Sequence, residues 1–208
     1  TNNYGPYQYP EKMLPLFVTN ALENKPLPVY GQGENMRDWL SVWDASRAID
    51  LVLHNGVPGE IYNIAGGNER ANIWMTKKIL SILGKPETLI QFVADRPGHD
   101  FRYPIDDSKI RRELGWQPRV EFEEELKRTV NWYVKNRDWW RPIVSVRQNE
   151  ELVQAFDKDI YAKIEQTIKP VIEKADIVVG IPYYTEKENI NNLIEIINRG
   201  LMTYFADK

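Results

Sequence analysis

The chain has no cysteine, so neither a disulfide nor a thiolate-bound metal is available to it. Its two histidines, His54 and His99, lie far apart in sequence, and no metal site is expected from them. A basic excess is missing too. With a formal net charge of −3, the chain lacks the cationic face that nucleic acid or an anionic membrane would need as main partner. No apolar run approaches the ~20 residues of a membrane helix, and the first residues are neither basic nor followed by an apolar signal core. A cytoplasmic location is the resulting expectation. The chain begins with Thr1 rather than Met and enters a motif at once, which reads as a piece cut from something longer.

The 208 residues can bury a real core, and the tryptophans and tyrosines sit mostly before residue 143. The densest chemistry surrounds Pro97-Gly98, where Asp95, Arg96, His99, Asp100 and Arg102 offer carboxylate, guanidinium and imidazole groups within a few residues. A Pro-Gly break presents side chains from a loop, and the planar arginine fork suits phosphate oxygens. Alone, the stretch is equally a solvated turn whose charges pair with one another.

Local signals alternate strands with helices, which predicts an α/β chain. Pro10-Glu11 is expected to start a helix that buries Leu14, Phe17, Val18, Ala21 and Leu22 and stops at Asn24-Lys25-Pro26. A short strand over 27–30 follows. Gly31 and Gly33 fail the dinucleotide fingerprint because Met36 stands where its third glycine belongs, so a tight turn is expected there. Next come a strand over 38–43, a helix over 45–53 capped by Asp44, and a strand over 60–65. A helix from Asn72 to Gly84, a strand over 88–93, a short helix over 108–114 capped by Asp106 or Asp107, and a helix over about 122–137 complete this part. In the last of these, Phe122, Leu126, Val130 and Tyr133 are spaced by four, four and three.

Beyond Trp139-Trp140-Arg141-Pro142 the character changes. Residues 144–175 read as a charged linker helix that Pro170 would kink, and 176–208 as a buried strand followed by an amphipathic helix. The run Val179-Gly180-Ile181-Pro182 with its following helix resembles the start of inverting nucleotide-sugar glycosyltransferases, although Thr185 stands where Asn is usual. No Asp-x-Asp motif follows before Lys208.

Read together, Asn2-Asn3-Tyr4-Gly5-Pro6-Tyr7-Gln8, Pro28-Val29-Tyr30-Gly31, Arg37-Asp38-Trp39, Tyr62-Asn63-Ile64, the Asp95–Asp100 loop and Leu114-Gly115-Trp116-Gln117-Pro118 resemble the C-terminal half of the dTDP-glucose 4,6-dehydratases. These are extended short-chain dehydrogenase/reductases, and the resemblance covers residues 1–143. The implied architecture is the C-terminal substrate-binding part of such an enzyme without its Rossmann half, then the linker helix and a β-α unit.

The resemblance assigns Asn2, Lys12, Met13, Pro28, Val29, Tyr30, Arg37, Asn72, Asp95, Arg96 and His99 to the sugar nucleotide, and Asn3 to the NAD cofactor. Each has a plainer competing role. Arg37 and Arg96 could be surface ion pairs, Asn2 and Asn3 turn residues, Lys12 solvated, Tyr30 core, and Asn72 a helix cap. The family's chemistry moves a hydride from glucose C4 to NAD, eliminates water across C5 and C6, and returns the hydride to C6. Its Tyr-x-x-x-Lys helix and Gly-rich NAD turn are absent from residues 1–143; Tyr183 to Lys187 matches the spacing only by coincidence. No catalytic residue is therefore expected, and the chain should be inactive alone. The expected partners are a dTDP-sugar and either a second copy or the missing N-terminal half, through apolar surface left bare beside the first strand. Alternatives are another NAD-dependent nucleotide-sugar epimerase or dehydratase, and a binding module fused to a glycosyltransferase.

Overall fold

A computed structural model describes residues 1–147; of the linker expected over 144–175 only 144–147 are described, as the end of a helix that starts at Arg137, and the rest of it and the tail over 176–208 lie outside the described residues. One compact unit spans Thr1–Val144. The described residues hold five short strands interspersed with helices. Strand β1 (Asn2–Tyr4) pairs in parallel with β3 (Met36–Ser41), which pairs antiparallel with β4 (Glu69–Ala71). Separately, β2 (Leu27–Tyr30) pairs in parallel with β5 (Ile90–Val93), Leu27 facing Ile90 and Tyr30 facing Val93.

Helices α1 (Met13–Leu22), α3 (Asn72–Leu83) and α5 (Phe122–Lys135) pack on one another and supply most of the main core. Leu14, Val18, Met75, Ile79, Leu126, Val130 and Tyr133 interlock there with Tyr4 and Trp39 from the sheet. A smaller core joins α2 (Val42–Asn55) to α4 (Ser108–Leu114) through Leu40, Ala45, Ala48, Ile110 and Trp116. Helix α6 (Arg137–Arg147) returns Trp140, which is buried, to the main core.

Several boundaries differ from the sequence expectation, each for a visible reason. Helix α1 begins at Met13 because the amides of Glu11 and Lys12 both turn back onto the Tyr9 carbonyl. The proline in its first turn is Pro15, whose missing N–H costs nothing there. Strand β3 ends at Ser41, not Trp43, and Ser41 caps α2 by accepting the Trp43 amide at 3.2 Å. Asp44 is instead drawn into a distant joint. Its buried carboxylate accepts the amides of Arg119 and Val120 and pairs with Arg47. Asp106, rather than Asp107, supplies the side-chain bond at the start of α4, accepting from the Ser108 amide.

The expected strand over 60–65 does not form, because a strand requires a ladder partner and these residues have none among the described residues. Residues 69–71 take the open side of β3 instead. The strand expected from Thr88 is shortened at its start, since Glu87–Leu89 form a single 3-10 turn before β5.

Apolar side chains left in solvent run along α2, which lies against β1, and just beyond it, through Trp43, Ile49, Leu53, Val57 and Ile61. No described helix is long and apolar enough to cross a membrane.

Candidate functional site

The loop after β5 is held against the start of β3 by backbone and side-chain bonds. The Met36 amide donates to the Phe101 carbonyl at 2.7 Å, and Met36 and Arg102 form an isolated parallel bridge. The Asn35 amide nitrogen and Arg37 Nη2 both donate to the Asp100 carbonyl, at 3.2 and 3.0 Å. Pro97-Gly98 makes the turn, closed by the His99 amide on the Arg96 carbonyl, and Gly98 takes the left-handed φ of 70° that favours glycine.

Charged and aromatic groups meet inside this enclosure. Arg37 is 7 % exposed, yet it makes no ion pair with a carboxylate of the described residues. Its partners are neutral: the carbonyls of Met36 and Asp100, the His99 ring at 2.8 Å, and the Tyr103 ring face at 4.6 Å. A guanidinium can only donate, so His99 Nε2 accepts and the proton resides on Nδ1, which donates to Asp95 Oδ1 at 2.6 Å. Tyr30 sets its ring edge-on to His99 at 5.8 Å. Tyr103 donates its hydroxyl to Asn2 Oδ1 at 2.6 Å. One bonded chain thus runs Asn2, Tyr103, Arg37, His99, Asp95, with Tyr30 at its side.

This proton assignment is directly measurable. Ring nitrogen NMR should find the neutral His99 ring as the Nδ1–H tautomer; an Nε2–H ring would contradict the Arg37 contact. The His99 hydrogen bond, more than the Arg96 amide and nearby charges, holds the Asp95 carboxyl below its ordinary 3.8. A lowered carboxyl adds stability that is complete above the ordinary value and fades as pH falls through the lowered one. The Asp95 carboxyl carbon should therefore titrate below pH 3.8, with loop attachment loosening in the same window. Titration at or above that value would remove the bond to His99.

Other residues expected in the site lie at varying distance from this chain. Asn72 is the first residue of α3, not its cap; its amide N–H donates to the Asn35 carbonyl, one step from the Asp100 bond. Its side-chain oxygen is buried with no hydrogen-bond partner among the described residues. Val29 turns into the core while Tyr30 faces outward and Pro28 is half-buried, as the alternation of a strand requires. Lys12 pairs with Glu11 at 2.9 Å at the head of α1, and Met13 packs on the core beside it. Arg96 gives its backbone N–H to Asp95 while its side chain is exposed, so it stands outside the bonded chain. Asn3 is exposed, and its carbonyl accepts the Gln8 side chain.

Sequence reasoning passed over Asn35, Glu69 as the partner of Arg102, and the reach of Tyr103. Tyr103 stood in the charged stretch, but an aromatic at the end of a loop gives no local sign of reaching Asn2. Gly31 and Gly33 form the expected turn, both with left-handed φ, and Gly33 leads into β3 rather than a helix. For NAD, the described residues hold the exposed Asn3 and no Gly-rich strand-to-helix turn, so they fit at most an edge of that cofactor. No group of three or more acidic, histidine or cysteine side chains among the described residues could hold a metal.

A profile of the family described as GDP-mannose 4,6 dehydratase matches residues 1–129. A dTDP-glucose 4,6-dehydratase of Streptomyces niveus is 54 % identical over 145 residues, covering 70 % of this chain and 43 % of that protein. The crystal structure of a dTDP-glucose 4,6-dehydratase from Bacillus anthracis in complex with NAD is 54 % identical, with a TM-score of 0.65 over 68 % of this chain and 45 % of that one. A counterpart from Streptomyces venezuelae with NAD bound is 53 % identical, with a TM-score of 0.67 over 68 % and 44 %. The chain therefore spans less than half the length of the relatives it matches, and its α/β fold is that of their matching part.

Proposed function

Because the chain belongs to the family described as GDP-mannose 4,6 dehydratase, we propose that residues 1–143 are the sugar-nucleotide-binding portion of an NAD-dependent dTDP-glucose 4,6-dehydratase. The observation that carries this reading is Arg37, a buried cation with no described carboxylate partner, aimed among neutral acceptors. Burying an uncompensated charge is costly, and a diphosphate is the kind of ligand that offsets that cost. Asn2 and Tyr30 flank the same chain, giving an amide for sugar hydroxyls and an aromatic face for a base. Asn72 adds its unpaired buried oxygen.

NAD is the expected cofactor of the whole enzyme, with Asn3 as the edge that this chain contributes. A Tyr-x-x-x-Lys base and a Gly-rich turn are lacking from residues 1–143, so the chain binds without turning over. The proposed setting is cytoplasmic, and the exposed apolar face of α2 would meet either the remainder of the enzyme or a second copy.

A thermal shift on the purified chain tests the nucleotide assignment. At dTDP about 100-fold above its Kd, binding should add ~2.7 kcal/mol, raising the midpoint by about 5 to 10 °C. Thymidine, which lacks the diphosphate, should shift it far less. Equal protection by the two, or none by dTDP at millimolar concentration, would remove the diphosphate reading.

A further inference from the structure

The bonded chain depends on where the loop 95–103 sits over β3, yet the backbone bonds there are few. One further attachment stands at the loop's exit. Arg102 grips Glu69 through two parallel bonds, Nε to Oε1 at 2.9 Å and Nη2 to Oε2 at 2.7 Å. Glu69 belongs to β4 and lies opposite Asp38 in the β3–β4 ladder, while Arg102 runs beside Met36 at the start of β3. The fork therefore ties the loop to a second strand. Immediately after it comes Tyr103, which joins Asn2 to Arg37.

We propose that Glu69 and Arg102 are positioning residues, a latch whose paired bonds fix the loop so that Tyr103 bridges Asn2 and Arg37 in the ligand-ready arrangement. The importance for the nucleotide rests on the binding function proposed above; the latch itself rests on geometry alone. Each partner favours the other's charged form, with the bonds between them holding the Glu69 carboxyl below and the Arg102 guanidinium above their ordinary values. Both side chains are partly solvated, at 32 % and 51 % exposure, so the pair adds little to global stability. Its effect falls on the loop's exit, where it adds a tie to β4 to the loop's bonds with β3 and Asn2. A fork of this kind also sets direction, since two parallel bonds fix the plane of the guanidinium against the Glu69 carboxylate.

The Met36 amide reports the latch, because its proton is protected by the Phe101 carbonyl at the loop's edge. Hydrogen exchange on the full chain should be measured for wild type, Glu69→Arg, Arg102→Glu and the double reversal, with α5 amides as internal control, alongside dTDP affinity. Each single reversal should speed Met36 exchange about five- to tenfold and weaken dTDP binding by a similar factor, with α5 exchange unchanged. The double reversal should return both to within about twofold of wild type. Unchanged Met36 exchange in the single variants, or no recovery in the double, overturns the latch. Fast exchange with undiminished dTDP affinity overturns its positioning role. Failure of the wild-type chain to bind dTDP would strike the nucleotide assignment, and the exchange data would still decide the latch.

Discussion

Replacing Arg37 with Met is expected to cut dTDP protection by half or more while leaving the ligand-free chain nearly as stable as wild type. The two halves of this result have one cause. In the free protein the Arg37 guanidinium is buried and its partners are neutral, so it bears a desolvation cost that its hydrogen bonds only partly offset. Met fills a similar volume without charge. It forfeits bonds to the Met36 and Asp100 carbonyls and to His99, and it removes the uncompensated charge. These terms oppose each other, and the midpoint without ligand should move by only a few degrees.

The bound state has no such compensation. Hydrogen bonds to a charged ligand contribute ~1.5–3 kcal/mol each, so losing the guanidinium should weaken dTDP about 10- to 100-fold or more. Thymidine, lacking the phosphates, should respond little. Arg37→Lys retains the charge but not the planar fork and should fall between the two. If calorimetry finds Arg37→Met binding dTDP as tightly as wild type, Arg37 is not the diphosphate ligand.

The parts of the fold legible in the sequence are those whose signals are local. Helix α5 buries the four side chains picked out by their spacing, Phe122, Leu126, Val130 and Tyr133. Gly84 and Gly115 end α3 and α4 in left-handed conformation, as terminal glycines do. Strand β2 is the run between Pro26 and Gly31. The misread parts depend on partners far along the chain. Residues 60–65 carry a strand-like pattern with no ladder beside them, and Asp44, a good cap by type, is recruited by amides 75 and 76 residues away. The site divides in the same way. Asp95 and His99 are four residues apart, so a charged loop could be read directly, whereas Tyr103 meets Asn2 across 101 residues. The resemblance brought Asn2, Arg37 and the loop together on paper; it carried no information on what ties them.

Asp38 shows how much of that tie is built into β3 itself, and Asp38→Ala should be the most destabilising single change in this part of the molecule. Its carboxylate is buried, and both oxygens accept backbone amides, Oδ2 from Gly66 and Oδ1 from Asn68, each at 2.6 Å. Gly66 is pressed so closely to the Trp39 carbonyl that a Cβ would overlap it. Alanine at position 38 therefore strands one buried and one part-buried amide and deletes two charge-assisted bonds, a loss of about 3–5 kcal/mol. Against a typical total of ~5–15 kcal/mol, this takes a large share of the fold. Asn at the same position offers one acceptor and turns an NH2 toward the other amide, so it should recover less than half of the loss. Urea unfolding would read both. The consequence for the site is direct, because Asn68 leads into Glu69 and the loop's anchorage on β4 begins there. An Asp38→Ala chain that unfolds within about 1 kcal/mol of wild type would mean that the amides of Gly66 and Asn68 find solvent or other acceptors at little cost.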